Sequence, residues 1–339
     1  MAEIRRDLLK NNWVALAPES ALNPRDFPIK RRGIDPVGNK LFCPFCEGNE
    51  ASTPPEILAV REDDSAPGLP GWSIRVVPNK FAVFRLEGEL EMHHTGIYQN
   101  LNGLGSQEVV IEDPRHGNDI HDFSSAKLAA VFRVWQQRYK ELSGDERIKY
   151  IQIYKNRGIF AGASQEHSHS QIMGLPFMPR CNSGIVDYFR KNGQCLLCAI
   201  MAEERQTGTR VVYESDQFLL VCPYASRFSY ETWMIPKRHT DHYGDINEEE
   251  IADLAAMCRS YLGMIIDVLQ DPAYNLVINT APVNSAYQPG YHWFLEIVPR
   301  LLVTTGVDIA TGIYTNPVAP ELAADLFRQQ IPKYLQGCI

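Results

Sequence analysis

Short apolar runs that end at turn residues predict β-strands along most of the chain. In the N-terminal half they cover residues 74–77, 108–111 and 150–154, and each is followed within four residues by Pro, Asn or Gly. In the C-terminal half they cover residues 218–221, 231–235 and 275–278. No G-x-G-x-x-G segment, the signal of a parallel βαβ unit, accompanies these runs. The strands are therefore expected to form antiparallel sheets.

Two long helices are predicted between these strands. After a cap at Ser124 or Ser125, apolar residues recur at helical spacing (Leu128, Val131, Trp135), which predicts a helix to about residue 142. Asn247 is followed by three glutamates, which suit the positive end of a helix dipole. This second helix is expected to end near residue 269.

The order of predicted features occurs twice. Each half contains a C-x-x-C pair, strands, a long helix, a strand that ends near an asparagine, a loop and a histidine-containing strand. Such repetition indicates an internal duplication. The predicted fold is α+β, with two similar halves that each form an antiparallel sheet crossed by a long helix. The halves are assigned to residues 1–180, including an N-terminal arm, and to residues 181–339.

The segment 166–172 carries the most specific chemistry. On an extended strand His167, His169 and Gln171 would share one face, because side chains alternate between the two faces. Aligned with the last strand of the second half, His167 matches His292, whereas His169 matches Phe294. A histidine present in both copies suits a metal ligand, and one present in a single copy suits catalysis. We therefore predict one active centre, with His169 as its nucleophile.

A loop of small residues comes just before this segment. Gly158, Gly162, Ala163 and Ser164 would let backbone N–H groups approach an anion. The loop is therefore expected to lie beside the substrate of His169.

Two cysteine pairs predict two zinc sites. Cys43 and Cys46 with His167, and Cys195 and Cys198 with His292, each supply three ligands. The fourth ligand is expected to be His116, with His121 as the alternative, and in the second half His239, with His242 as the alternative. Four protein ligands leave no open position, which predicts structural zinc; iron remains an alternative in the second site, and unmetallated thiols are an alternative in both.

Composition narrows the class of protein. Of the 339 residues, 45% are hydrophobic and 22% charged, as in ordinary soluble domains, and the net charge of −8 disfavours a nucleic-acid surface. No apolar run is long enough to span a membrane, and Met1 to Lys10 contain no apolar signal core. The expected location is the cytoplasm, without nucleic acid or membrane as a partner.

The chain resembles the galactose-1-phosphate uridylyltransferase family, the transferase branch of the histidine-triad superfamily, over nearly its whole length. The motifs that carry the resemblance are Trp13-Val14, Cys43-Pro44-Phe45-Cys46, Val77-Pro78-Asn79-Lys80-Phe81, Asp113-Pro114-Arg115-His116, Asn156-Arg157-Gly158, His167-Ser168-His169-Ser170-Gln171, Pro236-Lys237-Arg238-His239 and Tyr291-His292-Trp293. Each motif alone is weak, but together they are specific.

The resemblance implies ping-pong nucleotidyl transfer between a nucleotide sugar and a sugar 1-phosphate or phosphate, in a homodimer. His169 would attack the α-phosphorus, and a nucleotidyl-histidine would pass the group on. Gln171 and Ser164 would stabilise phosphoryl charge. The implied substrate-binding residues are Asn79 for the nucleoside, Asn156 and Gly162 beside the phosphates, and Gly312 and Tyr314 for the sugar phosphate.

Two departures from the family pattern leave the donor open. Ser168 replaces the proline that is usual between the two histidines, and Leu22-Asn23 replaces a basic pair, with Arg25 as a substitute. Uridylyl transfer from UDP-glucose to a hexose 1-phosphate, as in galactose metabolism, is the first expectation. Adenylyl transfer to phosphate, as in the ADP-glucose phosphorylase subgroup, is the close alternative. A nucleotide-sugar hydrolase and a non-catalytic zinc-stabilised nucleotide-binding protein are further alternatives.

Overall fold

Strands and helices alternate along the chain much as the sequence pattern predicts. The computed structural model describes residues 3–16, 23–27, 42–61, 65–179, 183–285 and 290–335. The strands in these ranges are β1 Glu3–Asp7, β2 Asn12–Leu16, β3 Leu58–Arg61, β4 Trp72–Pro78, β5 Met92–Thr95, β6 Tyr98–Leu101, β7 Ser106–Ile111, β8 Tyr150–Arg157, β9 His169–Leu175, β10 Val211–Glu214, β11 Phe218–Val221, β12 Thr232–Pro236, β13 Tyr274–Asn279, β14 Phe294–Pro299 and β15 Tyr314–Asn316. The helices are α1 Ser125–Ser143, α2 Ser183–Asn192, α3 Leu196–Thr207, α4 Glu248–Val268, α5 Gly306–Thr311, α6 Pro320–Gln330 and α7 Pro332–Leu335. The expected boundary at residues 180/181 lies outside the described residues.

The main sheet contains ten antiparallel strands in the order β10-β11-β12-β14-β13-β8-β9-β7-β4-β3. The α+β class with antiparallel sheets is confirmed. The two expected sheets are continuous, because β8 of the first half pairs with β13 of the second, from Arg157 opposite Tyr274 to Ile153 opposite Ile278. This central pairing places the second half directly beside the end of β8, where the site lies.

The two long helices pack against each other and on the sheet. The Ser124 side chain accepts a hydrogen bond from the Lys127 N–H at the start of α1, and Asn247 and Glu250 form a capping box at the start of α4. Apolar side chains of both helices join one buried core with residues of β8, β9, β13 and β14. Burial of the apolar side chains of α1 and α4 fixes both helices on one face of the sheet and leaves its other face free of them.

Both histidine strands begin later than the alternation predicts. β9 begins at His169 and β14 at Phe294, so His167 and His292 precede their strands. The Nε2 atoms of these two rings lie 2.7 Å and 2.9 Å from the carbonyl oxygens of Asp113 and Pro236. The prediction of a single strand over 166–172 is therefore wrong at its first residues, since the His167 ring is held by another segment.

The N-terminal hairpin β1–β2 packs on the second half of the chain. β2 pairs in parallel with β15, and the Leu9 carbonyl accepts a hydrogen bond from the Gly184 N–H at the start of α2. Leu9 is also buried in an apolar cluster with α3 and β14. The arm that the sequence groups with the first half thus covers a face of the second.

No helix in the described part of the chain combines the length and the apolar content needed to cross a bilayer.

Candidate active site and metal centres

His169 lies at the start of β9 and lines a cavity of about 190 Å³. Its Nδ1 atom is 2.8 Å from the main-chain oxygen of His167. A carbonyl oxygen can only accept, so Nδ1 carries the proton and donates, which leaves the lone pair on Nε2. Phe45 packs on the same ring, with centroids 5.4 Å apart. The imidazole is therefore held in the tautomer that a nucleophile at Nε2 requires.

The surroundings of His169 favour its neutral form. Burial lowers the pKa of the imidazole, and the nearby Lys155 ammonium lowers it further, against the opposing effect of the bond to His167. The neutral ring, which is the nucleophilic form, is thereby available at pH 7.

A buried network of charged residues, centred on Lys155, contacts the main chain at the start of β9. The Lys155 ammonium donates to Glu112 Oε2 at 2.7 Å, to the Ser168 hydroxyl at 2.9 Å and to the His169 carbonyl at 3.2 Å. Asp119 Oδ1 lies 3.2 Å from the same ammonium. Burial disfavours the charge of Lys155, but Asp119 and Glu112 outweigh it and raise its pKa. The network ties β8 to the main chain of His169.

Three of the four residues of the small-residue loop, Gly158, Ala163 and Ser164, line the His169 cavity, whereas Gly162 is not among its lining residues. Gly158 and Gly162 have φ angles of 82° and 86°, which residues with a Cβ rarely adopt, and Ser164 lines the cavity. The Gly162 N–H already donates to the Ile159 carbonyl and the Ala163 N–H to that of Gly158. Within the described residues no hydrogen bond is found for the Ser164 N–H.

Asn156 lies at the end of β8 and is oriented by the second half. Asn275 Nδ2 donates to both Asn156 Oδ1 and the Ala161 carbonyl, at 2.8 Å each. Because both bonds use the Asn275 amide as donor, Asn156 Oδ1 is occupied and its Nδ2 is the group that remains for the cavity.

The other expected binding residues lie apart from this cavity. Asn79 lines a second cavity of about 320 Å³ at the end of β4. Tyr314 lines a third, of about 560 Å³, and Gly312 ends α5 just before it. Ile159 lines the His169 cavity, and its neighbour Phe160 lines the Tyr314 cavity. The two cavities therefore lie on either side of one turn. Arg25 is exposed and lines none of these three cavities.

Cys43, Cys46, His116 and His167 form one compact cluster, with all ligand atoms within 4.8 Å of one another. Cys43 Sγ and Cys46 Sγ each lie 3.6 Å from His167 Nδ1, and Cys46 Sγ lies 3.7 Å from His116 Nδ1. Tetrahedral Zn²⁺ with ordinary bond lengths separates sulfur and nitrogen ligands by about 3.5 Å, so the donor set fits. His121 is outside the cluster, with its ring 3.5 Å from Asp122.

The second half builds an equivalent cluster from Cys195, Cys198, His239 and His292. Its sulfur-to-Nδ1 distances are 3.8 Å, 3.5 Å and 3.5 Å, again the edge lengths of a tetrahedron. Here the cysteines lie at the start of α3, whereas Cys43 and Cys46 lie in a turn. His242 instead contacts the Tyr139 hydroxyl at 3.0 Å.

In the second half, the position equivalent to the His169 site is occupied by packed side chains. Phe294, at the position of His169, is fully buried against Trp233, with ring centroids 5.0 Å apart. Glu296, at the position of Gln171, is paired with Lys10 at 3.1 Å and with Arg227. The N-terminal hairpin supplies Lys10, so it closes the face that remains open beside His169.

Sequence reasoning missed the residues that support the site: Glu112, Asp119, Lys155, Gln107, Tyr154 and Asn275. No local signal identified them, since Lys155 directly follows the predicted strand 150–154 and only the structure shows that it is 2% exposed. A lysine at that depth requires carboxylate partners, which predicts a buried network.

Comparison with known protein families gives two matches that together span most of the chain. The model for the N-terminal domain of galactose-1-phosphate uridyl transferase matches residues 74–179, and the model for its C-terminal domain matches residues 183–307.

Individual proteins are similar over nearly their full lengths. ADP-glucose phosphorylase from Arabidopsis thaliana is 36% identical over 335 residues, which cover 96% of this chain and 92% of that protein. Galactose-1-phosphate uridylyltransferase from Thermotoga maritima is 26% identical, over 97% of this chain and 98% of that protein. The crystal structure of an Arabidopsis thaliana ADP-glucose phosphorylase with bound ADP-glucose superposes with a TM-score of 0.80 at 33% identity, over 97% of this chain and 98% of that one.

Proposed function

Since this chain belongs to the galactose-1-phosphate uridylyltransferase family and is a nucleotidylyltransferase, we propose that it transfers the adenylyl group of ADP-glucose to phosphate through His169. The observation that carries the proposal is the His169 imidazole itself, whose Nδ1 proton is held by the His167 carbonyl beside a cavity. The resulting lone pair on Nε2 is the group that an attack on phosphorus needs.

In the first step His169 Nε2 attacks the α-phosphorus of the nucleotide sugar. A P–N bond forms, the bridging P–O bond breaks, and its electron pair leaves with glucose 1-phosphate. The imidazole becomes positively charged, and its Nδ1–H continues to donate to the His167 carbonyl. Donors from Asn156, Gln171 and the Ser164 N–H would stabilise the charge that develops on the phosphoryl oxygens.

In the second step an oxygen of inorganic phosphate attacks the same phosphorus. The P–N bond breaks, its electrons return to His169 Nε2, and ADP leaves. The enzyme regains its neutral imidazole, which burial favours. The cycle therefore needs no general base at the nucleophile.

ADP-glucose ranks before UDP-glucose because of the degree of similarity. The identity to an ADP-glucose phosphorylase is 36%, against 26% to a galactose-1-phosphate uridylyltransferase, over comparable lengths. Ser168, where uridylyltransferases usually carry proline, supports the same ranking, because the His-Ser-His-Ser-Gln form resembles the ADP-glucose phosphorylase subgroup. Uridylyl transfer to a hexose 1-phosphate is the second candidate, supported by the family to which the chain belongs.

The two cysteine–histidine clusters are proposed as structural zinc sites. Four protein ligands in each would complete the coordination of Zn²⁺, which would tie segments far apart in the chain together. In the first cluster the metal would fix His167, whose carbonyl positions His169.

We also propose a homodimer. Phe81, Val83, Ile97 and Tyr98 are between 71% and 92% exposed and lie on or near the hairpin β5–β6. A set of large apolar side chains at this exposure is typical of an interaction surface. The molar mass of the protein in solution tests this, and a monomer at micromolar concentration would contradict it.

The proposed activity is tested by intact-protein mass after mixing with ADP-glucose or UDP-glucose without acceptor. We expect an acid-labile gain of one AMP from ADP-glucose, release of one glucose 1-phosphate, and return to the starting mass with ADP when phosphate is added. His169→Ala should form no adduct, while His94→Ala, a matched change at an exposed histidine, should behave as wild type.

The nucleotide found names the donor. A UMP adduct alone would overturn ADP-glucose in favour of uridylyl transfer. Turnover of either donor to free nucleotide monophosphate would favour a hydrolase, and no adduct from either donor would contradict transfer through His169.

A further inference from the structure

The side-chain amide of Gln171 has its oxygen occupied twice. Gln171 Oε1 accepts a hydrogen bond from the Tyr154 hydroxyl at 3.0 Å and from Gln107 Nε2 at 3.2 Å. These partners come from the two strands on either side of β9: Tyr154 lies opposite Gln171 on β8, and Gln107 lies on β7. Gln171 shares the face of β9 with His169, two residues away.

The direction of these bonds follows from chemistry. The Val83 N–H donates at 3.1 Å to the Gln107 amide oxygen, and a main-chain N–H can only donate. The opposite end of the Gln107 amide, toward Gln171, must therefore be its NH₂ group. That group in turn requires the oxygen of Gln171 as its acceptor. The Val83 N–H, in the loop after Asn79, thus fixes the orientation of the Gln107 amide, which in turn fixes that of Gln171.

The Tyr154 hydroxyl, the second donor, also holds the oxygen of the Gln171 amide. Burial raises the pKa of the Tyr154 hydroxyl, which therefore keeps its proton at neutral pH. Tyr154 can donate to Gln171 Oε1 or to Met173 Sδ, at 3.6 Å, and the amide oxygen is the much stronger acceptor. Within the described residues no hydrogen bond is found for Gln171 Nε2.

We propose that Gln107 and Tyr154 are positioning residues that hold the Gln171 amide with its NH₂ group toward the phosphoryl group transferred by His169. The proposal rests on the proposed nucleotidyl transfer and adds the reason why an amide, which has two nearly isosteric ends, presents a donor. A glutamine turned by 180° would place its oxygen against the phosphoryl oxygens and would oppose the reaction. Gln107 also lines the cavity of Asn79, so one side chain borders both the expected nucleoside position and the reacting group.

The decisive variant is Gln107→Glu. The carboxylate matches the size of the amide and still accepts from the Val83 N–H, but it cannot donate to Gln171. Gln171 is then expected to turn its NH₂ group toward residue 107. We expect the rate of nucleotidyl-enzyme formation in single turnover to fall by roughly 100- to 1,000-fold, the range found when one donor to a developing oxyanion is lost. The Kd of the donor should change by less than about threefold.

Tyr154→Phe gives a second, milder test, because Gln107 still donates to Gln171. The expected loss of rate is about threefold to tenfold, in keeping with one neutral hydrogen bond. Gln152→Glu is the matched control for the added charge. It places the same charge on β8, two residues from Tyr154 on the same face, where the native Gln152 amide donates to the carbonyls of Ile153 and Ile278 and not to Gln171. It should keep the wild-type rate.

A double-mutant cycle with Gln171→Ala separates positioning from a general structural effect. In that background no amide remains to be turned, so Gln107→Glu should cost no further rate. An equal loss in both backgrounds, or no loss in the wild-type background, would overturn the proposal. A wild-type protein that forms no nucleotidyl adduct would contradict the proposed function itself, whereas an adduct with an unaffected Gln107→Glu variant would contradict this inference alone.

Discussion

His169 and Phe294 occupy equivalent positions in the two halves, yet only one of them faces a cavity. His169 is held by the His167 carbonyl and Phe45, and its tautomer follows from that single bond. Phe294 is packed against Trp233 with no polar group to present. The side chain at this position, and the carbonyl oxygen that accepts a hydrogen bond from it, therefore distinguish the two halves.

At the residue scale, the second half also contains two adjacent buried carboxylates, Glu231 and Glu296. Burial and the proximity of Glu296 raise the pKa of Glu231 to about 7, despite Arg227. Burial also disfavours the charge of Glu296, but the Lys10 ammonium and the Arg227 guanidinium outweigh it and hold its pKa well below the usual range. The pair is thus expected to share one proton below neutral pH.

The change Glu231→Gln tests this pair. The pKa of Glu231 is higher in the folded protein than the ordinary value of about 4.3, so its contribution to stability is complete below about pH 4 and is lost as the pH rises through about 7. Glutamine mimics the protonated form at every pH. The free energy of unfolding of the variant should therefore rise relative to that of wild type by up to about 1.4 kcal/mol per pH unit across this interval. Above about pH 7 the difference between the two should stay constant.

Thermal unfolding at several pH values between 4 and 8 measures this difference in stability between the variant and wild type. Glu203→Gln, the same change at an exposed position of α3, should follow wild type throughout. A margin for Glu231→Gln that stays flat or shrinks as the pH rises would show that Glu231 is already ionised at low pH in the native protein.

At the element scale, the pairing of β8 with β13 has a functional consequence. It places Asn275 of β13 opposite Asn156 of β8, and the Asn275 amide orients that of Asn156. The second half thus orients a residue of the proposed active site, although the N-terminal hairpin closes its own equivalent position.

Asn275→Asp is predicted to lower nucleotidyl transfer by about tenfold with the fold retained. The carboxylate keeps the shape of the amide but loses both donors, so Asn156 is expected to turn its NH₂ group toward residue 275 and away from the cavity. Single-turnover adduct formation measures the effect. Gln152→Glu makes the same chemical change at the same strand pair farther from His169 and should not slow transfer; an equal loss in both variants would attribute the effect to the strand pair as a whole.

At the scale of the whole molecule, the two cysteine–histidine clusters are expected to hold one metal ion each and to differ in what they support. Cys46 and Cys198 are equivalent, half-buried members of the two clusters. Cys46→Ser and Cys198→Ser should each lower the bound metal from about two to about one ion per chain and lower the unfolding temperature. Only Cys46→Ser should also slow adduct formation, because His167 of that cluster holds His169.

Elemental analysis for zinc and iron, thermal unfolding and single-turnover adduct formation on the same preparations check this. Metal content that stays at two in either variant would contradict the ligand assignment. Equal slowing of adduct formation by both variants would show that the first cluster has no special link to the nucleophile.

The sequence by itself determined the features that depend on short separations along the chain. Alternation and helical spacing predicted α1, α4 and the central strands, and the C-x-x-C pairs predicted two metal sites, because these signals repeat within a few residues. The duplicated order and the mismatch of His169 with Phe294 further led to the prediction that His169 is the catalytic histidine.

Only the tertiary structure decided the features that depend on distant residues. Cys43 and His167 lie 124 positions apart, and Lys10 lies 286 positions from Glu296. Whether His116 or His121 joins a cluster, whether the two sheets are continuous, and which end of the Asn156 or Gln171 amide is bonded by its neighbours all depend on contacts between distant residues. These contacts form only when the chain is packed, because no local pattern records which distant group a donor will find.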